Sequence, residues 1–196
     1  MEEDFDFFTE ITRQYVEFLL TIPAEVLSST KLSFNEKLLL GLDYTFKDKL
    51  GFNILSHKEV GILFNIHPNI VSYCRKNLLK NNYLTKEKRK YYITDKVFEE
   101  AEITDKRSVV IPHIVYNLNM PTGAKLLWGE CNSFSMGVKY YYAYRDFTAK
   151  RLNASKESIT NWTKILAENG LIALKYRIGY SKNEKYVKTC KFGNRQ

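Results

Sequence analysis

The sequence has little of what metal sites and disulfide frameworks require. Its three cysteines are widely separated and form no CxxC pair, so the sequence suggests neither a disulfide framework nor a cysteine zinc site. Its three histidines, His57, His67 and His113, form no HxH or HxxxH pair, so the usual scaffold of a metal-dependent nickase or hydrolase is missing. We therefore expect no metal, no cofactor and no catalytic activity.

The chain also lacks membrane-targeting patterns. No apolar run approaches the roughly 20 residues needed to cross a bilayer, and residues 1–6 are acidic where a signal peptide is basic. We expect a cytoplasmic protein without a membrane partner. With 44% hydrophobic and 27% charged residues, the composition fits a globular chain and excludes a fibrous or disordered one.

Positive charge is concentrated toward the C-terminus. Residues 1–20 carry six acids and one base, residues 21–105 carry 13 bases and 11 acids, and residues 106–196 carry 16 bases and five acids. The net charges of these segments are −5, +2 and +11, which accounts for the total of +8. Segregation of this kind favours a polyanion that faces the C-terminal half, and nucleic acid is the obvious candidate.

An internal repeat organises the chain. A shift of 88 residues aligns Lys37-Leu38-Leu39-Leu40-Gly41 with Lys125-Leu126-Leu127-Trp128-Gly129 and gives nine identities between residues 37 and 84, where composition alone gives roughly three. The chain is therefore predicted to contain two copies of one unit. The predicted division is an acidic N-terminal helix at 1–20, a first domain at 21–98, a linker at 99–107 and a second domain at 108–196.

Each copy is predicted to contain two helices, a short turn between them and a β-hairpin. In the second copy Ser155 is a good N-cap, residues 159, 162 and 166 form a buried stripe, and Asn169-Gly170 ends the helix. In the first copy the turn is at residues 65–67 and the second helix starts at Pro68. The predicted fold class is mainly α with small β-hairpins (α+β), with two tandem winged helix-turn-helix domains forming an internal pseudo-dimer.

These motifs resemble a known family. Ile22-Pro23, residues 37–41, Gly51-Phe52 and the helix-turn-helix resemble the winged-helix domains of plasmid and phage replication initiators, and the second copy, from Ile111-Pro112 onward, resembles them too. As a whole, the chain is similar over about residues 20–190 to the tandem winged-helix repressors of conjugative-transfer operons on Gram-positive plasmids. The first copy departs from the pattern, with His67-Pro68 where a serine cap is usual.

The second helix of each copy is the predicted DNA-reading element, because an α-helix fits the major groove and its N-terminal side chains reach the base edges. The candidate contacts on these two helices are Asn69, Ser72, Tyr73, Arg75, Lys76, Lys80, Lys156, Glu157, Ser158, Thr160, Asn161 and Lys164. The hairpin residues expected along phosphates or a minor groove are Lys88, Arg89, Lys90, Lys175, Arg177 and Lys182. Because the two helix sequences differ, we expect a site with two unlike halves.

The leading hypothesis is a sequence-specific repressor that binds double-stranded DNA as a monomer, with an internal pseudo-two-fold axis and no small-molecule ligand evident. The alternative is a plasmid replication initiator that binds origin repeats. The charge disfavours a third possibility, a winged-helix adapter that binds protein, and the missing metal ligands disfavour a DNA-nicking enzyme.

Two aromatic segments have structural rather than functional interpretations. Tyr140-Tyr141-Tyr142 is predicted to be an alternating strand with two rings inward, not a source of a nicking nucleophile. In the acidic N-terminal segment, the helical spacing of Phe8, Ile11, Tyr15 and Leu19 predicts a helix docked on the first domain, with a partner-binding helix as the alternative.

Overall fold

The helices and strands follow the same order in both halves of the chain. The computed structural model describes residues 18–101, 105–137, 139–178 and 183–190, with the backbone alone for 176–178 and 183–186. Within this part the protein has a mixed α+β fold with three two-stranded antiparallel sheets. Most of the predicted acidic helix lies outside the described residues, and Leu20, its last residue, lies in a strand.

The first half consists of a strand, a short helix, a long helix, a helix pair, a hairpin and a short closing helix. Its elements are β1 (Leu20–Ile22), α1 (Ala24–Ser28), α2 (Phe34–Leu50), α3 (His57–Phe64), α4 (Pro68–Lys80), β2 (Leu84–Glu87), β3 (Lys90–Ile93) and α5 (Lys96–Glu99). The second half repeats the order up to the hairpin. Its elements are β4 (Val109–Ile111), α6 (His113–Tyr116), α7 (Thr122–Ser135), α8 (Arg145–Leu152), α9 (Lys156–Glu168), β5 (Ile172–Ile178) and β6 (Asn183–Thr189).

Local capping signals set where the first-half helices begin. Ser33 at the start of α2 and Ser56 at the start of α3 each form a capping box with the glutamate three residues later, Glu36 and Glu59. Each box pairs two backbone N–H groups that the helix itself leaves without an acceptor. Helix α2 ends at Gly51, whose φ of 81° is the left-handed conformation that glycine adopts without steric cost.

The turn between the paired helices is the same in both halves. Asn65 and Asn153 lie 88 residues apart and adopt left-handed φ angles of 50° and 52°, a conformation that asparagine tolerates better than most residues. The next helix then begins with a side-chain cap. His67 Nδ1 accepts from the Asn69 N–H at 3.2 Å, and Ser155 Oγ accepts from the Ser158 N–H at 3.1 Å. The predicted turns and the Ser155 cap are confirmed.

Each hairpin gains a third chain segment beside it. Asn53 forms a bridge with Tyr91 of β3, and Tyr141 forms the equivalent bridge with Val187 of β6. Because Tyr141 is on the inner face, it is 5% exposed, while its neighbours Tyr140 and Tyr142 are 37% and 71% exposed. The predicted alternation is present, but the prediction of two inward rings is wrong, since one ring of the three points inward.

A two-stranded ribbon joins the two halves. Strands β1 and β4 pair antiparallel, with Thr21 opposite Val110. These two residues are also equivalent in the repeat, since each comes directly before an Ile-Pro pair whose isoleucine, Ile22 or Ile111, is the last residue of its strand. A residue that pairs with its own equivalent marks an isologous contact, as at the two-fold axis of a homodimer. The central pair of this ribbon therefore joins two equivalent residues of the repeat.

The glycine of each repeated Lys-Leu-Leu-x-Gly motif lets the long helix lie directly on the ribbon. A Cβ at Gly41 would stand 2.6 Å from Cγ1 of Ile22, and a Cβ at Gly129 would stand 2.9 Å from Cγ1 of Ile111. Both isoleucines are fully buried, so they have little space in which to move away. The repeated glycine is thus a packing requirement of the central ribbon.

The lysine of the same motif crosses from one half to the other. Lys37 Nζ of α2 donates to Leu152 O, at the end of α8, at 2.9 Å, and to Leu27 O at 2.7 Å. Lys125 Nζ of α7 donates to Phe64 O, at the end of α3, at 2.5 Å. Both lysines are completely buried. Each half therefore supplies a cation to the C-terminal carbonyls of the other half's first paired helix, where the helix dipole favours positive charge.

The two predicted domains share one hydrophobic core. The Phe34 and Trp162 rings, one from each half, meet edge to face with centroids 5.0 Å apart. The last part of the predicted linker is also fixed in place, because Arg151 donates to the backbone carbonyl of Asp105 at 2.9 Å and to that of Arg107. The halves are therefore joined by packing and hydrogen bonds as well as by the covalent chain.

Candidate nucleic-acid interface

Helices α4 and α9 occupy equivalent positions and bury equivalent stripes. The buried residues that correspond at the 88-residue shift are Val71, Cys74 and Leu78 in α4 and Ile159, Trp162 and Leu166 in α9. Trp162 is thus a core residue, as predicted from its place on the stripe. Each helix turns the rest of its circumference to solvent, and the candidate contact residues lie on that side with one exception.

The exception is Arg75, which is 1% exposed. Its Nη1 donates to both carboxylate oxygens of Asp43 in α2, at 2.7 and 2.6 Å, and its guanidinium lies 4.1 Å from the ring centroid of Tyr91. The prediction that Arg75 contacts DNA is therefore corrected: this side chain anchors α4 to the core. The sequence carries a signal for this, because position 75 falls between Val71 and Leu78 on the buried side of the helix.

The other α4 candidates are accessible. Asn69, Lys76 and Lys80 are exposed, Ser72 is half-buried, and the Tyr73 ring is 65% exposed. Sequence reasoning missed Ile70, which is 44% exposed on the same helix. An exposed isoleucine is an apolar side chain of the kind that can contact a thymine methyl group.

Helix α9 offers a more neutral surface. Lys156, Glu157, Thr160, Asn161 and Lys164 are exposed and Ser158 is half-buried. Its two lysines lie close to acids, with Lys156 Nζ 2.8 Å from an Asp146 oxygen and Lys164 Nζ 3.8 Å from a Glu168 oxygen. Asn161 is an exposed amide suited to the bidentate recognition of adenine.

Glu157 lies in the first turn of α9, where backbone N–H groups are available. Hydrogen bonds from its own backbone N–H and from Ser155 lower the pKa of its carboxyl group. The side chain is therefore ionised at neutral pH and is an acceptor only. A carboxylate in this position matches a cytosine amino group and opposes close approach of a phosphate.

The first hairpin carries exposed cations at its tip. Lys88 and Arg89 form the two-residue turn between β2 and β3, with Lys88 at a φ of 53°, and both are exposed together with Lys90. Lys90 Nζ lies 4.1 Å from the ring centroid of Phe52. The tip of this hairpin is therefore a group of exposed cations.

The second hairpin is described in part. Lys175 is exposed on β5, and its Nζ lies 5.8 Å from the ring centroid of Tyr140. The backbone of Arg177 lies in β5, opposite Glu184 of β6, but its side chain is not among the described ones. Lys182 lies outside the described residues.

The structure changes how the net charge is interpreted. Among the described side chains, four basic ones are buried, namely Lys37, Arg75, Lys125 and Arg151, so they do not face a polyanion. Two of these, Lys125 and Arg151, are in the C-terminal half, where Glu130 is buried as well. Burial of these three side chains therefore removes one net positive charge from the surface of that half. On α4 and its hairpin, the accessible cations that form no ion pair within the described part of the chain are Lys76, Lys80, Lys86, Lys88, Arg89 and Lys90; others, including Lys58, Lys139, Arg145 and Lys150, lie elsewhere.

No protein-family model and no curated protein sequence matches this chain. Among the described residues, no three His, Cys, Asp or Glu side chains are grouped so that they could hold a metal ion. None of the helices described here is long and apolar enough to span a bilayer. Two equivalent helices with polar outer faces, and the cations beside the first of them, are thus the features on which a functional proposal rests.

Proposed function

We propose that this protein is a sequence-specific double-stranded DNA-binding regulator built from two winged helix-turn-helix units. The observation that carries the proposal is the equivalence of α4 and α9, since each follows a left-handed asparagine turn, buries the same stripe and exposes a polar face. In helix-turn-helix proteins the second helix enters the major groove and reads base edges with residues near its N-terminus.

The roles of the individual side chains follow from their chemistry. On α9, Asn161 pairs with adenine and Glu157 accepts from cytosine, while Lys164 contacts guanine or a phosphate. On α4, Asn69 and Tyr73 have the corresponding exposed positions. Since the two sets of side chains differ, the recognised site has two unlike halves.

The hairpin cations supply affinity that depends little on sequence. Lys88, Arg89 and Lys90 lie along phosphates or in the adjacent minor groove and release counterions when they bind. If about six phosphates are neutralised in all, the logarithm of the binding constant falls with the logarithm of salt concentration with a slope of about −5.

The regulatory role we propose is repression in the cytoplasm by occupation of a promoter or operator, with exclusion of polymerase as the mechanism. This role rests on the resemblance to conjugative-transfer repressors of Gram-positive plasmids. Replication initiation at origin repeats is the alternative, because the same tandem domains serve both purposes. Footprinting on the plasmid or genome that carries the gene separates the two, since a protected promoter and a protected origin lie at different places.

The proposal is tested by selection of binding sites from a random duplex library, followed by titration of variants on the recovered site. Asn161→Ala and Tyr73→Ala should each weaken specific binding by about 1–3 kcal/mol and relax the base preference in one half of the site. Lys47→Ala is the matched control, because this exposed lysine lies on α2 beside Asp95. Recovery of no preferred duplex, or unchanged affinity of both reading-helix variants, would refute the proposal.

A further inference from the structure

The second half carries an exposed row of tyrosines just before α8. Tyr140, Tyr142 and Tyr144 alternate along an extended segment and are 37%, 71% and 85% exposed. Tyr141, which points the other way, is buried, and its hydroxyl group lies 2.7 Å from Thr148 Oγ1. The bridge between Tyr141 and Val187 thus fixes which side of the segment faces solvent. We call Tyr140, Tyr142 and Tyr144 the tyrosine row.

Cations surround the tyrosine row. Lys175 and Lys188 place their Nζ atoms 5.8 and 5.7 Å from the ring centroid of Tyr140. Lys139 and Arg145 are exposed at the two ends of the row and form no ion pair within the described part of the chain. The neighbouring acid, Asp146, is paired with Lys156 at 2.8 Å.

The shared fold does not require this surface. The first-half residues at the same alignment positions are Phe52, Ile54 and Ser56, so the first half has the same architecture with one aromatic residue instead of three. Exposed aromatic clusters are uncommon on monomer surfaces and mark places where something binds. The row is therefore a feature of the second half that the shared architecture does not account for.

We propose that the tyrosine row binds single-stranded DNA, with unpaired bases stacked on the rings and phosphates held by the surrounding cations. Proteins that bind single strands combine aromatic platforms with a positively charged track. Along an extended chain every second residue is about 6.6–6.8 Å apart, so three bases can each meet a ring. A second copy of the protein is a poor occupant, because its own row would bring like charges together.

The test measures fluorescence anisotropy of a labelled oligothymidine of about 15 nucleotides, long enough for one binding site. The variants are the double substitutions Tyr142→Ala with Tyr144→Ala, and Tyr142→Phe with Tyr144→Phe. The alanine pair loses the rings on which bases stack, so its affinity for the oligothymidine should fall at least about 10-fold. The phenylalanine pair keeps the rings, so its affinity should stay within about 2-fold of that of the native chain. Equal affinity of the alanine pair and the native chain would overturn the proposal, as would an equal loss in the phenylalanine pair.

Two further measurements separate this proposal from duplex binding and from a protein partner. The oligothymidine assay needs no duplex site, so a failed duplex selection would not refute single-strand binding. The Tyr73→Ala variant, which tests duplex reading, should not change the affinity for the single strand. A synthetic peptide of residues 1–17, which is acidic and aromatic, represents the protein alternative. If that peptide binds the row and the oligonucleotide does not, the proposal is wrong. Single-strand binding would favour the initiator alternative, because a repressor has no need of it.

Discussion

The two buried lysines offer a comparison in which most of the energy terms cancel. Lys37 and Lys125 are both fully buried in the long helices and are equivalent in the repeat. They differ in the number of acceptors, since Lys37 Nζ donates to two backbone carbonyls while Lys125 Nζ donates to one within the described residues. Replacing either lysine with Met keeps the length of the side chain and removes the donor.

The difference between Lys37→Met and Lys125→Met follows from this count. Burial lowers the pKa of each ammonium group to about 8. The desolvation cost that each substitution removes is therefore similar in the two variants. Each carbonyl left without a donor costs about 1–3 kcal/mol. Lys37→Met leaves one more such carbonyl and should therefore be about 1–3 kcal/mol less stable than Lys125→Met.

The assay is urea unfolding followed by tryptophan fluorescence. Both tryptophans, Trp128 and Trp162, are buried, and Trp162 also contacts Phe34 across the two halves. Lys76→Met is the control, because this lysine is exposed on α4 and should change the free energy of unfolding by less than about 0.5 kcal/mol. If Lys125→Met is as destabilising as Lys37→Met, or more so, the acceptor count does not explain the role of these lysines.

Two other predictions concern buried charge. Asp43→Ala should destabilise the fold by about 3–5 kcal/mol in the same assay, because it leaves the Arg75 guanidinium buried without its carboxylate. The double variant Asp43→Ala with Arg75→Met should recover part of this loss. If it recovers none, the unpaired guanidinium is not the cause. Because the pKa of Lys125 is about 8 when folded and 10.5 for the free side chain, the unfolded chain binds more protons between these pH values. The free energy of unfolding should therefore rise with pH across that window, and it should rise less steeply in Lys125→Met. If both proteins show the same dependence on pH, Lys125 is not the group responsible.

Local signals in the sequence were enough to predict the repeated elements. The turn at Asn65, the cap at Ser155 and the left-handed end at Gly170, whose φ is 66°, each depend on residues within a few positions of one another. The buried stripes were predictable for the same reason, since their spacing reflects the helical repeat alone.

Contacts between residues that are far apart along the chain could not be predicted from the sequence. Strands β1 and β4 have three residues each and pair across a separation of nearly half the chain, and Lys37 binds a carbonyl 115 residues away. The same limit explains Arg75, whose partner Asp43 is 32 residues distant. It also explains the tyrosine triplet, because three identical rings do not reveal which one faces inward until Val187 is placed beside Tyr141.

The interlocked lysines and the shared ribbon change how two reading helices would cooperate. Two domains on a flexible tether gain from effective concentration and tolerate a range of site spacings. Here the β1–β4 pairing, the Lys37 and Lys125 hydrogen bonds and the common core hold the halves together. In that case the relative orientation of α4 and α9 is set when the chain folds, and little ordering cost remains for binding. The two helices would then contribute unequally, because Lys76 and Lys80 of α4 form no ion pair among the described residues, while the lysines of α9 are paired with acids. On the proposed DNA-binding function, α4 would supply more of the salt-dependent affinity than α9, and α9 would contribute mainly through its base contacts.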